Sequence, residues 1–483
     1  VTALGTDTVI GIVGTGAMGG GIAQVAALAG HPVRLTDARA GAAVAAVEQI
    51  GHRLTAAVAK GRLDVATAAA TRARLTPAAG LADLAPAGLV IEAIVEELGA
   101  KRSLLAELER IVAPGALLAS NTSSLSITAI AAGLREPARF AGMHFFNPAP
   151  VMELVEIVSG LATAPQTAAT LAATAAAWGK HPVHCRNSPG FIVNRVARPF
   201  YLEALRIVQE RVANPATVDA IVREAGGFRM GPFELMDLIG NDVSLAVTRS
   251  LFEASGYDPR YRPSPLQREL VDAGWLGRKT GRGWFDHGSS AATAEPVTAG
   301  PAPAPATVRV SGGGGVLLPL ADRMRAAGLH VAEQVAGPPG LFCDGVLMVP
   351  PGSTDAAGTV VDLALDYATC ARLAVALDGA AERSPVVGAL QACKIAVTPL
   401  PPRPGLVVAR LLAMLVNEAT DMVDQGTAGA ADVDLAMRKG MNYPRGPLEW
   451  AALLPASLLP TVLDQLWTTT RDARFARAAG LRA

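Results

Sequence analysis

The sequence predicts an α/β chain in which a doubly wound, mainly parallel sheet precedes an all-helical domain, and in which both parts then recur in eroded form. Three observations carry that prediction. An apolar strand, Val9-Ile10-Gly11-Ile12-Val13, runs into Gly14-Thr15-Gly16-Ala17-Met18-Gly19 and a helix that stops at Gly30, and a second strand, Val33-Arg34-Leu35-Thr36, then closes on Asp37. Strand-like apolar runs and helical stretches alternate from there to about residue 186, as in a parallel sheet with helical crossovers. Finally, adding 215 maps Pro189, Gly190, Arg195, Glu203, Asp219, Gly231, Pro232 and Glu234 onto Pro404, Gly405, Arg410, Glu418, Asp434, Gly446, Pro447 and Glu449 without a gap, so a helical domain occurs twice.

The opening unit has the chemistry of a dinucleotide site. Gly14 allows the tight turn, Gly16 lets backbone N–H groups approach a pyrophosphate, and Gly19 lets helix and strand pack closely, with the phosphate at the positive helix end. Asp37 lies 18 residues after Gly19 and can accept hydrogen bonds from both adenosine ribose hydroxyls. A carboxylate there repels a 2′-phosphate, so this Rossmann-type unit favours NAD over NADP, with Arg39 close by.

The elements after Asp37 follow in order. Ala-rich helical sequence runs to about Arg74, and within it Arg53 and Lys60 are two turns apart on one face, with a solvated basic face as the plain reading. A buried strand, Gly88-Leu89-Val90-Ile91, ends at Glu92, a helix spans about 98 to 112, and Ala116-Leu117-Leu118-Ala119 closes on Ser120-Asn121-Thr122-Ser123-Ser124. Ligands of open parallel sheets lie beyond the carboxyl ends of strands, so the turns at Glu92 to Glu96 and Asn121 to Ser124 face the cofactor crevice. Phe140 to Pro148 places His144 where another strand ends. Met152 to Val158 alternates at period two, which puts Glu153 and Glu156 on opposite faces, and only one of them can face His144. Ser188 and Pro189 read as N-cap and first turn of a helix carrying Asn194.

These patterns divide the chain into a dinucleotide-binding domain (1–186), a helical domain (187–286), an Ala/Pro/Ser/Thr/Gly linker (287–306), a degenerate Rossmann-like segment (307–400) and a second helical domain (401–483). In the degenerate segment an offset of 298 places Gly14 and Gly16 on Gly312 and Gly314 but Asp37 on Val335, an offset of 233 places His144 on Leu377, and Asn194 becomes Ala409 in the second helical copy. One active site per chain, in the first half, is the expectation.

Composition narrows the function classes. Lys plus Arg and Asp plus Glu are both 42, so no net field points to nucleic acid or an anionic membrane. There is no uninterrupted apolar span of bilayer length, and the N-terminus enters its first strand without a basic n-region, so neither a membrane anchor nor a secretory signal is expected. Cys185, Cys343, Cys370 and Cys393 lack metal-ligand or redox spacing and suit reduced thiols in a cytoplasm.

His144 near a nicotinamide would take an alcohol's proton while the ring accepts hydride from the same carbon. A carboxylate on the other imidazole nitrogen, Glu156, would fix the tautomer and stabilise the imidazolium. Ser123 and Asn194 would donate to substrate oxygens and stabilise negative charge as it forms. As plainer roles, His144 could be a core histidine, Glu156 a solvent-facing carboxylate, Ser123 a loop cap and Asn194 a helix-terminal amide.

Ser-Asn-Thr-Ser-Ser-Leu at 120–125, Phe-Ala-Gly-Met-His-Phe-Phe-Asn-Pro at 140–148, Ser-Pro-Gly-Phe-Ile-Val-Asn-Arg at 188–195 and Gly-Arg-Lys-Thr-Gly-Arg-Gly-Trp-Phe at 277–285 resemble the L-3-hydroxyacyl-CoA dehydrogenases, in order across residues 8–286. The resemblance implies oxidation of a (3S)-3-hydroxyacyl-CoA, with His144 as base, Glu156 as its partner, and Ser123 and Asn194 on substrate oxygens. It implies NAD contacts from Gly14, Gly16, Ala17, Met18, Gly19, Asp37, Glu96, Lys101, Asn121, Ser123, Asn147 and Lys279. It also places Arg53 and Lys60 where the family grips CoA, although Arg53 replaces a serine of some members. The duplicated second half resembles long bacterial members associated with phenylacetate breakdown that act on 3-hydroxyadipyl-CoA, and related 3-hydroxybutyryl-CoA enzymes. Shorter members dimerise through the helical domain. The expectation is that the second copy fills that partner surface, or that the chain forms a homo-oligomer. The rival readings are a non-enzymatic NAD-binding protein of the lens-crystallin kind, and a dehydrogenase of a free hydroxy or sugar acid.

Overall fold

In the computed structural model, which describes residues 2–288, 294–353, 358–377 and 384–481, contacts divide the chain into two units, Val1–Arg195 with Gln425–Met441 and Val196–Asp424 with Asn442–Ala483. The first unit is built on β1 (Val9–Val13), β2 (Val33–Thr36), β3 (Leu75–Pro77), β4 (Ala87–Glu92), β5 (Leu117–Ser120), β6 (Phe140–Phe145), β7 (Leu154–Ser159) and β8 (His181–Arg186). They lie side by side in the order β3-β2-β1-β4-β5-β6-β7-β8. All neighbours are parallel except β6 and β7, whose antiparallel register sets His144 directly opposite Glu156.

The crossover helices are α1 (Ala17–Leu28), α2 (Ala42–Ala59), α3 (Val65–Ala73), α4 (Leu98–Ile111), α5 (Ile127–Ala131) and α6 (Pro165–Ala177), and α7 (Val193–Val196) ends this part of the chain. Asp64 caps α3 by accepting from the Thr67 N–H, so the Ala-rich stretch folds as a hairpin of α2 and α3. Ile10, Ile12, Ile22, Val33, Leu35, Leu89 and Ile91 pack the core beneath the opening turn, at about 1.5–3 kcal/mol per fully buried side chain.

The second unit carries α8 (Arg198–Gln209), α9 (Pro215–Glu224), α10 (Pro232–Ile239), α11 (Asn241–Ala254) and α12 (Pro265–Asp272). Then come β9 (Val308–Ser311), α13 (Leu318–Ala326), β10 (Val331–Val335), β11 (Gly340–Cys343), β12 (Val346–Val349), β13 (Thr359–Val360), β14 (Arg372–Ala376), α14 (Pro385–Ala392), β15 (Ala396–Leu400) and α15 (Val408–Asp424). The offset of 298 holds for β9, α13 and β10, which repeat β1, α1 and β2. After β10 the copy departs. A short turn replaces the α2–α3 hairpin, and β11 runs antiparallel to β9 where β4 runs parallel to β1.

The strand register corrects one sequence mapping. Leu154 pairs with His181 and Arg372 with Ala396, while Met143 pairs with Ile157 and Val361 with Val375. His144 therefore corresponds to Asp362, not Leu377, and Glu156 corresponds to Ala374. A constant sequence offset does not register strand pairing, whereas hydrogen-bond register fixes the face. Asp362 accepts from the backbone N–H groups of Val407, Val408 and Ala409 at 2.8 to 3.1 Å, and burial pushes its carboxyl up to about 6 despite these donors.

The region read as a linker is laid against the degenerate copy where it is described. The Ala299 N–H donates to Val397 and the Ala302 N–H to Gln391, while residues 289–293 lie outside the described residues. The helical copies exchange contacts. In the second unit Glu224, at the end of α9, pairs with Arg372 at 3.0 Å, and Arg410 of α15 reaches Glu203 of α8 at 3.0 Å and Glu210 at 2.7 Å. In the first unit α16 (Ala430–Met441) lies along β8, with Cys185 bridging Ala428 and Lys439 paired to Glu153 at 2.5 Å. The helices α17 (Pro447–Ala451) and α18 (Leu458–Thr470) complete the second unit. Among the described residues, no helix is long and apolar enough to cross a membrane, and no three His, Cys, Asp or Glu side chains could jointly hold a metal ion.

Candidate active site

The glycine turn has the shape that a pyrophosphate requires. Gly14 has φ +90°, and a Cβ there would meet the Ala93 carbonyl at 2.6 Å; a Cβ on Gly19 would meet the Gly14 oxygen at 1.8 Å. A Cβ on Gly16 would instead enter open space at the start of α1, which leaves room for a phosphate above Ala17 and Met18. Asp37 Oδ2 accepts from the Thr15 N–H and hydroxyl, each at 2.8 Å, and Oδ1 accepts from the Arg39 N–H at 3.0 Å. Partial burial works against its charge, yet these donors hold the carboxyl well below the usual carboxylate range. It is therefore ionised beside the turn, and the residues fit NAD.

Glu96 organises the serine turn. Its Oε1 accepts from the Thr122 hydroxyl at 2.6 Å, the Ser123 and Ser124 N–H groups at 3.0 and 3.1 Å, and the Ser124 hydroxyl at 2.9 Å. Burial opposes ionisation of Glu96, but Thr122 and the Lys101 charge lower its pKa overall. Lys101 is 1% exposed, with its ammonium 2.9 Å from Glu92 and 3.4 Å from Glu96, so it supports the crevice from behind. Asn121 Oδ1 accepts from the Phe145 N–H at 2.8 Å and ties the serine turn to the end of β6. Asn147 follows that strand, joined to Pro148 by a cis peptide bond.

His144 is buried between the rings of Phe146 and Phe191, at centroid distances of 4.5 and 5.8 Å. Its Nδ1 lies 2.6 Å from Glu156 Oε2. A carboxylate that accepts from Nδ1 leaves Nε2 to present its lone pair. Glu156 is fully buried, and its Oε1 accepts from the Ile192 and Val193 N–H groups at 3.0 and 2.8 Å. The period-two reading is met: Glu156 faces the imidazole, and Glu153 faces Lys439 and His181.

The helix start differs from the sequence reading. Ser188 does not cap it, and among the described residues its buried hydroxyl has no partner. Phe191 adopts φ +50°, which interrupts the helix, so α7 begins at Val193 and Glu156 serves as its cap from another strand. Asn194 sits in that first turn, with its side-chain amide 3.4 Å from the Ser123 carbonyl. Ser123, His144, Glu156 and Asn194 thus belong to one hydrogen-bonded neighbourhood in the first unit.

The other expected ligand contacts stand apart. Arg53 donates to Gln24 at 2.9 Å and reaches the Gly20 carbonyl at 3.4 Å, which anchors α2 on α1, while Lys60 ends α2. Lys279 lies in the second unit and pairs with Asp242 at 2.6 Å. The sequence reading missed β8 and the side chains at its end, Arg186 and Asn187. The alternation of His181-Pro182-Val183-His184-Cys185 was the available signal, obscured by a proline and two histidines.

Residues 9–188 match the family described as 3-hydroxyacyl-CoA dehydrogenase, NAD binding domain, and residues 190–287 and 405–482 each match its C-terminal domain. A 3-hydroxyadipyl-CoA dehydrogenase of Escherichia coli (strain K12) is 40% identical over 98% of this chain and 96% of its own. A probable 3-hydroxybutyryl-CoA dehydrogenase of Bacillus subtilis (strain 168) is 43% identical over 57% of this chain and 96% of its own. Among solved structures, a 3-hydroxybutyryl-CoA dehydrogenase from Escherichia coli K12 superposes with a TM-score of 0.89 at 39% identity, covering 99% of this chain and 98% of that one.

Proposed function

Because this chain belongs to the 3-hydroxyacyl-CoA dehydrogenase family, whose members carry out NAD-dependent oxidation of 3-hydroxyacyl-CoA esters, we propose that His144 is its general base, positioned by Glu156. The 2.6 Å contact between Nδ1 and Glu156 carries this reading, because it leaves Nε2 as the nitrogen that takes the hydroxyl proton. NAD, when bound, accepts hydride from the carbinol carbon. Glu156 stabilises the imidazolium as it forms, and Ser123 and Asn194 donate to the substrate oxygens. Gly14, Gly16, Ala17, Met18, Gly19 and Asp37 hold the dinucleotide. Glu96, Lys101, Asn121 and Asn147 shape the crevice, Lys279 is assigned a further cofactor contact, and Arg53 and Lys60 are assigned to CoA phosphates.

The substrate is 3-hydroxyadipyl-CoA or 3-hydroxybutyryl-CoA, as the names of the full-length matches suggest. The exchange of α16 and α9 between the copies supports a second helical domain standing in for a dimer partner. Four buried, free cysteines support a reducing cytoplasm. NADH production against a panel of 3-hydroxyacyl-CoAs, including the butyryl and adipyl forms, tests the assignment, and no turnover with any of them would refute it.

A further inference from the structure

Ser123, His144, Glu156 and Asn194 all come from the first half of the sequence, yet a piece of the second helical copy, Gln425–Met441, belongs to the same unit. Its closest approach to the site is at Gly440, in the last turn of α16. A Cβ built there would lie 2.7 Å from Leu154 Cδ2 and 3.1 Å from Val193 Cγ2. Carbon atoms pack best at about 3.5–4.0 Å, so any side chain at 440 must displace one neighbour or both.

Those two neighbours flank Glu156. Leu154 precedes it by two residues on β7, so both side chains leave the same face of the sheet. Val193 gives Glu156 Oε1 its N–H at 2.8 Å and is followed by Asn194. Val193 is buried and β-branched, so its methyl groups do not swing aside at χ1, and pushing them moves the backbone that carries this N–H. Glu156 Oε2 lies 2.6 Å from His144 Nδ1, which passes the displacement to the imidazole. The same piece of the second copy also holds the next residue, since Arg195 donates to the Gln425 side chain at 3.0 Å.

The backbone does not call for glycine at 440. The residue lies within a helix at negative φ, where glycine is among the least favourable choices, so close packing is the reason for it. On the eroded side the same point of the repeat carries a methyl group. An offset of 215 maps Gly440 onto Ala225, whose carbonyl accepts from the Leu365 N–H at 2.9 Å, three residues after Asp362. The tighter fit thus belongs to the sheet that keeps the histidine.

We infer that Gly440 of the second helical copy is a positioning residue for the reaction of the first, letting α16 close on Leu154 and Val193 so that Glu156 stays seated between His144 and the start of α7. This rests on the proposed reaction at His144. The test measures kcat, the KM values for NAD and acyl-CoA, and thermal denaturation in the full chain and in its Gly440→Ala, Val193→Ala and doubly substituted variants. Gly440→Ala lowers kcat by about 5- to 30-fold and leaves the KM for NAD within about twofold, a smaller loss than the roughly 100-fold that a misplacement of 1 Å can cost, because the shift needed at Val193 is a few tenths of an ångström. Val193→Ala removes the methyl groups in the way, so adding Gly440→Ala to it costs less than about threefold in kcat. Gly440→Ala with kcat within about twofold of wild type overturns the inference, as does an equal loss with and without Val193→Ala. So does a loss that follows the fraction of folded protein, or a double variant that folds normally but regains no turnover. Wild type inactive on every ester overturns instead the proposed reaction beneath it.

Discussion

Glu156→Gln separates the two duties of one buried carboxylate. Its Oε1 holds the Ile192 and Val193 N–H groups at 3.0 and 2.8 Å, and its Oε2 takes the Nδ1 proton of His144 at 2.6 Å. A glutamine of the same shape keeps its oxygen at the helix start but presents N–H to the imidazole. Nδ1 must then accept, the ring proton moves to Nε2, and the base nitrogen is blocked. The charge that would stabilise the imidazolium is also gone. The equivalent acid-to-amide change in serine proteases costs about 10⁴ in kcat through the wrong tautomer. We expect a loss of about 10²- to 10⁴-fold here, or about 3–5.5 kcal/mol of barrier at 1.36 kcal/mol per decade. Stability falls less, by about 1–3 kcal/mol, because neutral hydrogen bonds replace charge-assisted ones.

Glu156→Ala is the poorer test. It strands three buried donors at about 1–3 kcal/mol each, comparable with the whole stability of a domain. The assay is steady-state NADH formation with separate KM values for NAD and acyl-CoA, alongside thermal denaturation. A Glu156→Gln enzyme with kcat within about threefold of wild type refutes the argument. So does one whose activity loss is matched by loss of folded protein.

His144→Gln should keep NAD and acyl-CoA binding while turnover is lost, and near-normal turnover would remove His144 from the mechanism. Asp37→Ala should raise the KM for NAD by about 10- to 100-fold, the worth of hydrogen bonds to a charged acceptor, and narrow the preference over NADP; an unchanged KM ratio counts against the ribose assignment. Glu203 is buried among Arg206, Arg410 and Arg474, and although burial opposes its charge, the arginines bring its carboxyl down to about 2. Its folded value is below the unfolded one of about 4.3, so its stabilisation is present above that pH and is lost as pH falls toward 2. Glu203→Gln should therefore cost about 3–5 kcal/mol at pH 7 in denaturant unfolding, with the difference shrinking below pH 4, and a pH-independent difference would refute this. Deleting residues 401–483 should bare the β8 edge and the α8 face, giving aggregation or self-association in light scattering; a soluble, fully active monomeric fragment would contradict it.

Short-range chemistry made much of the site legible. The glycine turn, Asp37 and the strand ending near His144 each occupy a few consecutive residues, where sterics and period two leave little choice. The 215-residue offset was equally plain, because Pro189–Glu234 maps onto Pro404–Glu449 without a gap. Ser188 was misread as a cap because Ser-Pro is the usual start of a helix. The left-handed Phe191 and a carboxylate on β7 took that role instead.

By itself the sequence determined the β-α-β unit, its preference for NAD, the opposite faces of Glu153 and Glu156, and the duplication, since each is written in local pattern or in self-similarity. Tertiary structure decided that Glu156 caps a helix while holding His144, that Asp362 takes the histidine's register position in the eroded copy, and that Arg186 reaches the Gln425 carbonyl. These depend on which strands pair, in which register, across separations of up to about 240 residues. No periodicity encodes that pairing, because a one-residue slip of register keeps the local pattern and turns every side chain to the other face.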